Sequence, residues 1–322
     1  MKKAINFILI LLFVLLTVAC GEQNKPITPV KYIDTGVDSE AWVTVPAGEF
    51  LKTQHRHKVM IDKPYEIMVT DVTNAQYVRF LNEALAKGAI KVQADTICGY
   101  YKGDPFDGWK HEFKVPAGDK LYMDLSEPCV HIKFDGKTFS VIKGYENHPV
   151  TCVTWFGANA YAKFYGWRLP SENEWEKAAR GTDGRSLPWG EEISCEYTNY
   201  IACKHMVEKL YDGVDAVTTP VGFFNGKTYN GVETKDAKSP YGLYDMAGNV
   251  WQWCGDDYPN MHYRWYRGGS RDSYEINLFS WRRMSTEPQD YSMYIGFRCA
   301  RDVQPKEVEN AETENTEETI DK

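Results

Sequence analysis

The sequence predicts an α+β fold with few helices, short strands and much ordered loop. Three observations carry this. The stretch from Tyr241 to Arg301 reads YGLYDMAGNVWQW, YRGGS, SWRR and IGFRCARD, with glycines between large aromatic residues and no helical period. The N-terminal part, WVTVPAGEFLKT and HKVMIDKPYEIMVTDV, alternates and is rich in β-branched residues, which favours strands. Two Ser/Thr-x-x-Glu/Gln signatures stand before apolar runs at helical spacing, and each marks the start of a helix.

Taken in order, Thr73 and Gln76 form the first capping box. Tyr77, Phe80, Leu81, Ala84 and Leu85 follow on one face, and Gly88 ends the helix after about Lys87. Residues from about 90 to 147 read as an irregular insertion. Within it FDGKTFSVIKGY reads as a hairpin that turns at Asp135-Gly136. HPVTCVTW reads as a buried strand that feeds a second helix, capped by Thr154 and stopped at Gly166. Ser171 and Glu174 form the second capping box, with Trp175 and Ala178 on the buried face. Beyond Gly181 the chain turns to loops, with no internal repeat and no Gly-rich phosphate loop.

The 322 residues are 43% hydrophobic and 14% aromatic, ample for a large core. A formal charge of −8 argues against nucleic acid as a partner, although much of it lies in the acidic tail 303–322, which reads as disordered. At the other end, Lys2 and Lys3 precede an apolar run to Ala19, a secretory signal over residues 1–19. Val18-Ala19-Cys20 resembles a bacterial lipobox. It implies lipidation at Cys20, a polar tether over 20–41 and a domain over 42–302. Export permits disulfides, and the seven remaining cysteines are an odd number. Cys195 and Cys203 flank one loop, and Cys98 and Cys129 bracket another segment. With no CxxC, zinc is disfavoured, and His55 and His57 read as surface residues of one strand face.

DVTNAQYVRFLN, HPVTCVTW, WRLPSENEWEKAARG, LPWG, SPYGLYDMAGNVWQWC, YRGGS and IGFRCARD, in this order, resemble the formylglycine-generating enzyme (sulfatase-modifying factor) family. The resemblance implies a compact, irregular domain related to the C-type lectin fold. It also implies two thiolates after the GGS turn that bind copper and activate oxygen, because Cu(I) is a soft ion. Those places fall on Ser273 and Leu278, so no catalytic residue is assigned and copper is not expected. The resemblance implies calcium at two loop sites. The first is Asn199 and Asp212 with the carbonyls of Tyr200 and Val214. The second is Asp245 and Gln252 with the carbonyls of Gly248 and Val250, where Gln252 replaces the usual Glu. The family's partner position for Cys299 falls on Ala162, so Cys299 either remains free or pairs elsewhere, with Cys152 and Cys254 as the candidates. A peptide-binding groove is implied at Arg271, Asp272, Ser273, Trp281, Arg282 and Arg283.

Three functional readings follow. The favoured one is a non-catalytic, lipid-anchored protein of a bacterial cell envelope, on either face of an outer membrane, that binds a protein or glycan partner. In this it resembles gliding-motility and secretion-associated lipoproteins. The alternatives are a formylglycine-generating oxidase acting on sulfatases and a variable ligand-display protein on a lectin-like scaffold.

Overall fold

A computed structural model describes residues 27–104, 115–257 and 262–303. The expected signal segment, Cys20 and the tail from 304 lie outside the described residues. Strands β1 (Trp42–Val45), β2 (Gly48–Lys52), β3 (His57–Ile61) and β4 (Tyr65–Met68) precede helix α1 (Asn74–Ala86). Strands β5 (Ile90–Gln93), β6 (Thr96–Tyr101), β7 (Gly118–Asp124), β8 (Ile132–Phe134) and β9 (Phe139–Val141) follow. Helices α2 (Trp155–Phe164), α3 (Glu172–Arg180) and α4 (Lys204–Leu210) come next. The C-terminal part is β10 (Thr228–Tyr229), β11 (Val232–Glu233), β12 (Trp251–Asp257), β13 (Arg264–Arg267), β14 (Arg283–Thr286), β15 (Ile295–Gly296) and β16 (Ala300–Asp302).

The strands form small separate sheets, as the α+β expectation requires. One has the order β1-β4-β16, so the last strand pairs with β4 through Ala300 opposite Ile67. A four-stranded sheet has the order β14-β13-β12-β15, with β12 and β15 parallel. The helix starts are as the sequence predicts. The Thr73 hydroxyl accepts from Gln76 N–H while the Gln76 side chain accepts from Thr73 N–H, and Ser171 and Glu174 do the same for α3. Thr154 caps α2 by accepting from Gly157 N–H. Tyr77 of α1 stacks on Tyr161 of α2 at 5.9 Å, and Phe297 closes the cluster edge-on at 5.3 Å from Tyr161.

Four expectations need correction. The insertion is not irregular: β5, β6 and β7 form a three-stranded antiparallel sheet, next to the expected hairpin of β8 and β9. HPVTCVTW is buried but makes only isolated bridges, Thr73 with Pro149 and Met123 with Val153, rather than a strand. The segment from Ile27 is not a free tether. Val30 and Ile33 are buried with Tyr145 and Phe223, and a Cβ on Gly144 would sit 1.9 Å from the Val30 carbonyl. The cysteines pair as Cys195–Cys203, one of the expected possibilities, and as Cys129–Cys152. Cys98, Cys254 and Cys299 are free, so Cys299 pairs with neither candidate.

Candidate functional site

Strand β13 ends at Gly268-Gly269, both with positive φ. A Cβ on Gly269 would stand 2.8 Å from the Asn277 carbonyl, so the chain folds back tightly there. The next residues form a knot of short bonds. Ser273 Oγ accepts the Ser270 N–H at 2.9 Å, and Ser273 N–H donates to the Ser270 carbonyl at 3.0 Å. The Ser273 carbonyl accepts Ile201 N–H at 3.3 Å, which brings the 3-10 turn Ile201–Cys203 alongside. The disulfide Cys195–Cys203 holds that turn from behind. Leu278 is fully buried with Leu187, Tyr200, Cys203 and Ala247.

The six expected groove residues do not form one surface. Arg271 turns inward, is 9% exposed and grips both oxygens of Asp215 at 2.8 and 2.7 Å. Its backbone N–H donates to the Asn249 carbonyl. Ser273 is buried, whereas Asp272 is exposed. Trp281 is half-buried, stacked on Phe279 at 4.7 Å with the Arg180 guanidinium over its ring at 5.2 Å. Arg282 is half-buried as well. Arg283 is exposed but engaged, lying 4.3 Å over Trp265 and pairing with both oxygens of Glu172. The residues that do face solvent are ones the sequence reading missed: Tyr274, Ile276 and Ile201, at 68%, 53% and 39% exposure. Apolar side chains left outside a core signal a contact surface, but burial is not readable from sequence.

Glu172 is the electrostatic anchor for Arg267, Arg283 and Lys52. It accepts from Arg267 at 2.5 Å and pairs with Arg283 at 2.8 Å and Lys52 at 3.2 Å. Burial pushes its carboxyl up, but Arg267, Lys52 and Arg283 more than offset that and hold it down at about 2. Arg267 is fully buried and also reaches Glu176 at 2.9 Å. Behind Arg271, Asp215 lines a cavity of about 220 Å³ that His131 also faces. His131 stacks on Tyr145 at 3.8 Å, and burial lowers its pKa to about 4, so the ring is neutral at pH 7.

The two calcium sets differ in fit. Asn199 Oδ1 is buried with no partner among the described residues, while its amide donates to the Val217 carbonyl at 3.0 Å. Asp212 is exposed in a left-handed conformation with φ 52. The Tyr200 and Val214 carbonyls each accept one backbone N–H, which leaves a lone pair on each. An all-oxygen set with one orphaned buried acceptor suits calcium chemically. The second set does not fit. Gln252 Oε1 accepts from both Trp175 Nε1 at 2.7 Å and Arg298 Nε at 2.8 Å, and its amide donates to the Asp245 carbonyl. No lone pair remains on that oxygen, and the Arg298 guanidinium already supplies positive charge. Burial pushes the Asp245 carboxyl up to about 6, against the Gly222 N–H and Arg298. Among the described residues no three or more His, Cys, Asp or Glu side chains cluster as metal ligands. His55 and His57 are exposed, with ring centroids 5.9 Å apart.

Residues 31–303 match the family described as the sulfatase-modifying factor enzyme 1-like domain. The chain belongs to this family. It is 36% identical to the inactive C-alpha-formylglycine-generating enzyme 2 of Bos taurus over 258 residues, 74% of this chain and 77% of that protein. It is also 36% identical to the formylglycine-generating enzyme of Streptomyces coelicolor over 189 residues, 51% of this chain and 55% of that protein. A chlamydial serine/threonine-protein kinase Pkn1, from Chlamydia trachomatis, is 37% identical over 179 residues, half of this chain and only 25% of the kinase. Among solved structures, PvdO from Pseudomonas aeruginosa superposes with a TM-score of 0.52 at 21% identity, over 87% of this chain and all of PvdO. That likeness concerns the fold alone. The family thus holds members named as active and as inactive, and the residues of the individual chain decide between them.

Proposed function

We propose that this chain is a non-catalytic binding component of a bacterial cell envelope, held there through a lipid on Cys20. One observation carries the non-catalytic reading. The places that the resemblance assigns to copper thiolates hold a serine tied to its own turn and a leucine sealed in the core. Neither Ser273 nor Leu278 supplies a soft ligand. The two free thiols nearest to these places in sequence do not substitute for them. Cys254 and Cys299 lie fully buried in separate apolar clusters, where burial pushes both thiols well above their ordinary range. The bovine relative named as inactive supports the same reading, and two disulfides support an oxidising compartment.

The partner in this reading is a protein that lays an extended segment across Tyr274, Ile276 and Ile201. Asp272 and Glu275 stand beside this apolar patch, so a segment carrying both basic and apolar side chains complements it. A role in gliding or secretion machinery, as in the lipoproteins that the sequence resembles, is part of the proposal. The test is mass spectrometry of a cysteine-containing sulfatase peptide after incubation with reduced, copper-loaded protein. The expected result is an unchanged peptide. A mass loss matching conversion of the thiol to the aldehyde overturns the reading in favour of the oxidase.

A further inference from the structure

A second surface, independent of the Ser273 face, has the chemistry of a ligand site. Where the end of β6 meets α2, a groove of about 380 Å³ opens between Tyr100, Tyr101, Phe156 and the first residues past them. This lies within the size range of small-ligand sites. Its walls are mostly aromatic: Tyr101 and Phe156 tilt together at 5.0 Å, and Tyr100 stands at the rim, 66% exposed. An aromatic ring left flat to solvent beside a groove is costly to hydrate and ready to stack.

Three polar side chains line this aromatic wall: Asn159, Lys102 and Lys163. Asn159 lines the groove at 8% exposure, and its amide makes no hydrogen bond among the described residues. Its polar atoms are not sealed from the groove, so the amide can exchange groove water for the hydroxyls of a ligand. Lys102 and Lys163 also line the groove, and neither pairs with a carboxylate within the described structure. Burial and the nearby Lys102 lower the Lys163 pKa more than Asp104 raises it, and the Lys163 ammonium lies 5.9 Å from the centre of the Tyr101 ring. The neighbouring carboxylate, Asp104, is already taken by Arg264 at 2.5 Å and by the Tyr101 hydroxyl. Lys87 over Phe164 and Lys120 near Phe156 extend the positive rim.

We infer that this groove binds an anionic sugar ring of a polysaccharide, stacked on Tyr100, held by Asn159 through its hydroxyls and paired through its carboxylate or sulfate with Lys102 and Lys163. Each part of the site answers one part of that ligand. The C–H face of a pyranose matches an exposed tyrosine ring. An unpartnered amide, with donor and acceptor side by side, suits adjacent hydroxyls. Two ammonium groups outside any direct ion pair suit an acidic substituent through charge-assisted bonds. An acidic peptide fits less well. Strand β6 is paired on both edges, by β5 and by β7, so no backbone edge is open for strand addition.

The test is calorimetric titration of the folded protein at about 150 mM salt, which screens unspecific charge attraction. The probes are oligogalacturonate, a sulfated heparin-derived oligosaccharide, neutral dextran and poly-glutamate. At least one of the first two is expected to bind, and which one does identifies the acidic group. Tyr100→Ala and Lys163→Glu, both at exposed side chains, are each expected to weaken that binding about tenfold or more. Lys137→Glu in the distant hairpin turn is expected to leave it unchanged. Absence of binding to both anionic saccharides overturns the inference. So does equal binding of dextran, equal binding of poly-glutamate, or binding that is indifferent to Tyr100→Ala and Lys163→Glu.

Discussion

Replacing Glu172 by Gln removes one negative charge from among Arg267, Arg283 and Lys52 while keeping the side-chain shape. Two routes give the cost. Glu172 is 5% exposed and Arg267 is fully buried, so the change leaves a desolvated guanidinium short of one partner. Breaking a buried pair in this way costs about 3–5 kcal/mol. The fall of the carboxyl from 4.5 to about 2 gives a second figure. At about 1.4 kcal/mol per pH unit it amounts to about 3.5 kcal/mol. Glu176 still faces Arg267 at 2.9 Å, which argues for the lower end of the first range. The sign follows from the lowered pKa. Above pH 4.5 the ionised group contributes its full stability, and the contribution is lost as pH falls from 4.5 towards 2. Urea unfolding of both proteins at pH 7 and at pH 3 reads this directly. The variant is expected to be about 3 kcal/mol less stable at pH 7, with the difference shrinking at pH 3. A variant within about 0.5 kcal/mol of the parent at pH 7 would refute the reasoning, because that is the range of an ordinary surface change. Parallel pH profiles would refute the assignment of the lowered carboxyl to Glu172.

Leu278→Ala is expected to cost about 3 kcal/mol in the same unfolding assay, because the residue is fully buried and its removal leaves a cavity. A loss under about 1 kcal/mol would mean that position 278 lies open to the groove. Calcium is expected to raise the melting temperature through the Asn199 set, and a chelator to lower it, with about 2.7 kcal/mol at a hundredfold excess over Kd. Asp212→Ala should abolish that shift while Asp245→Asn retains it; calorimetry showing no calcium dependence rejects the set altogether. Cys20→Ala is expected to release the protein from membranes, since stable anchoring takes two or more acyl chains. Full membrane retention together with an unchanged intact mass would remove the anchor from the proposal.

What the sequence determined by itself was local. Thr73 with Gln76 and Ser171 with Glu174 meet across one helical turn, so the bonds that start α1 and α3 are visible at three-residue spacing. Cys195 and Cys203 lie eight residues apart around one loop and pair as that nearness allows. The chemistry of positions 273 and 278 was equally plain, because a hydroxyl and an alkyl group cannot become thiolates in any fold. The tertiary structure alone decided which side chains reach solvent and which distant partners they find. In the sequence Arg271 has the character of a surface anchor, yet it turns to Asp215, 56 residues away. The resemblance makes Gln252 an ion ligand, yet Trp175 and Arg298, 77 and 46 residues distant, take both its lone pairs. Cys152 pairs with Cys129 rather than Cys299 because docking of the insertion brings Cys129 to it. A charged or amide side chain satisfies itself with whatever the packed chain brings within about 3 Å, and that neighbour is set by long-range packing rather than by adjacent sequence.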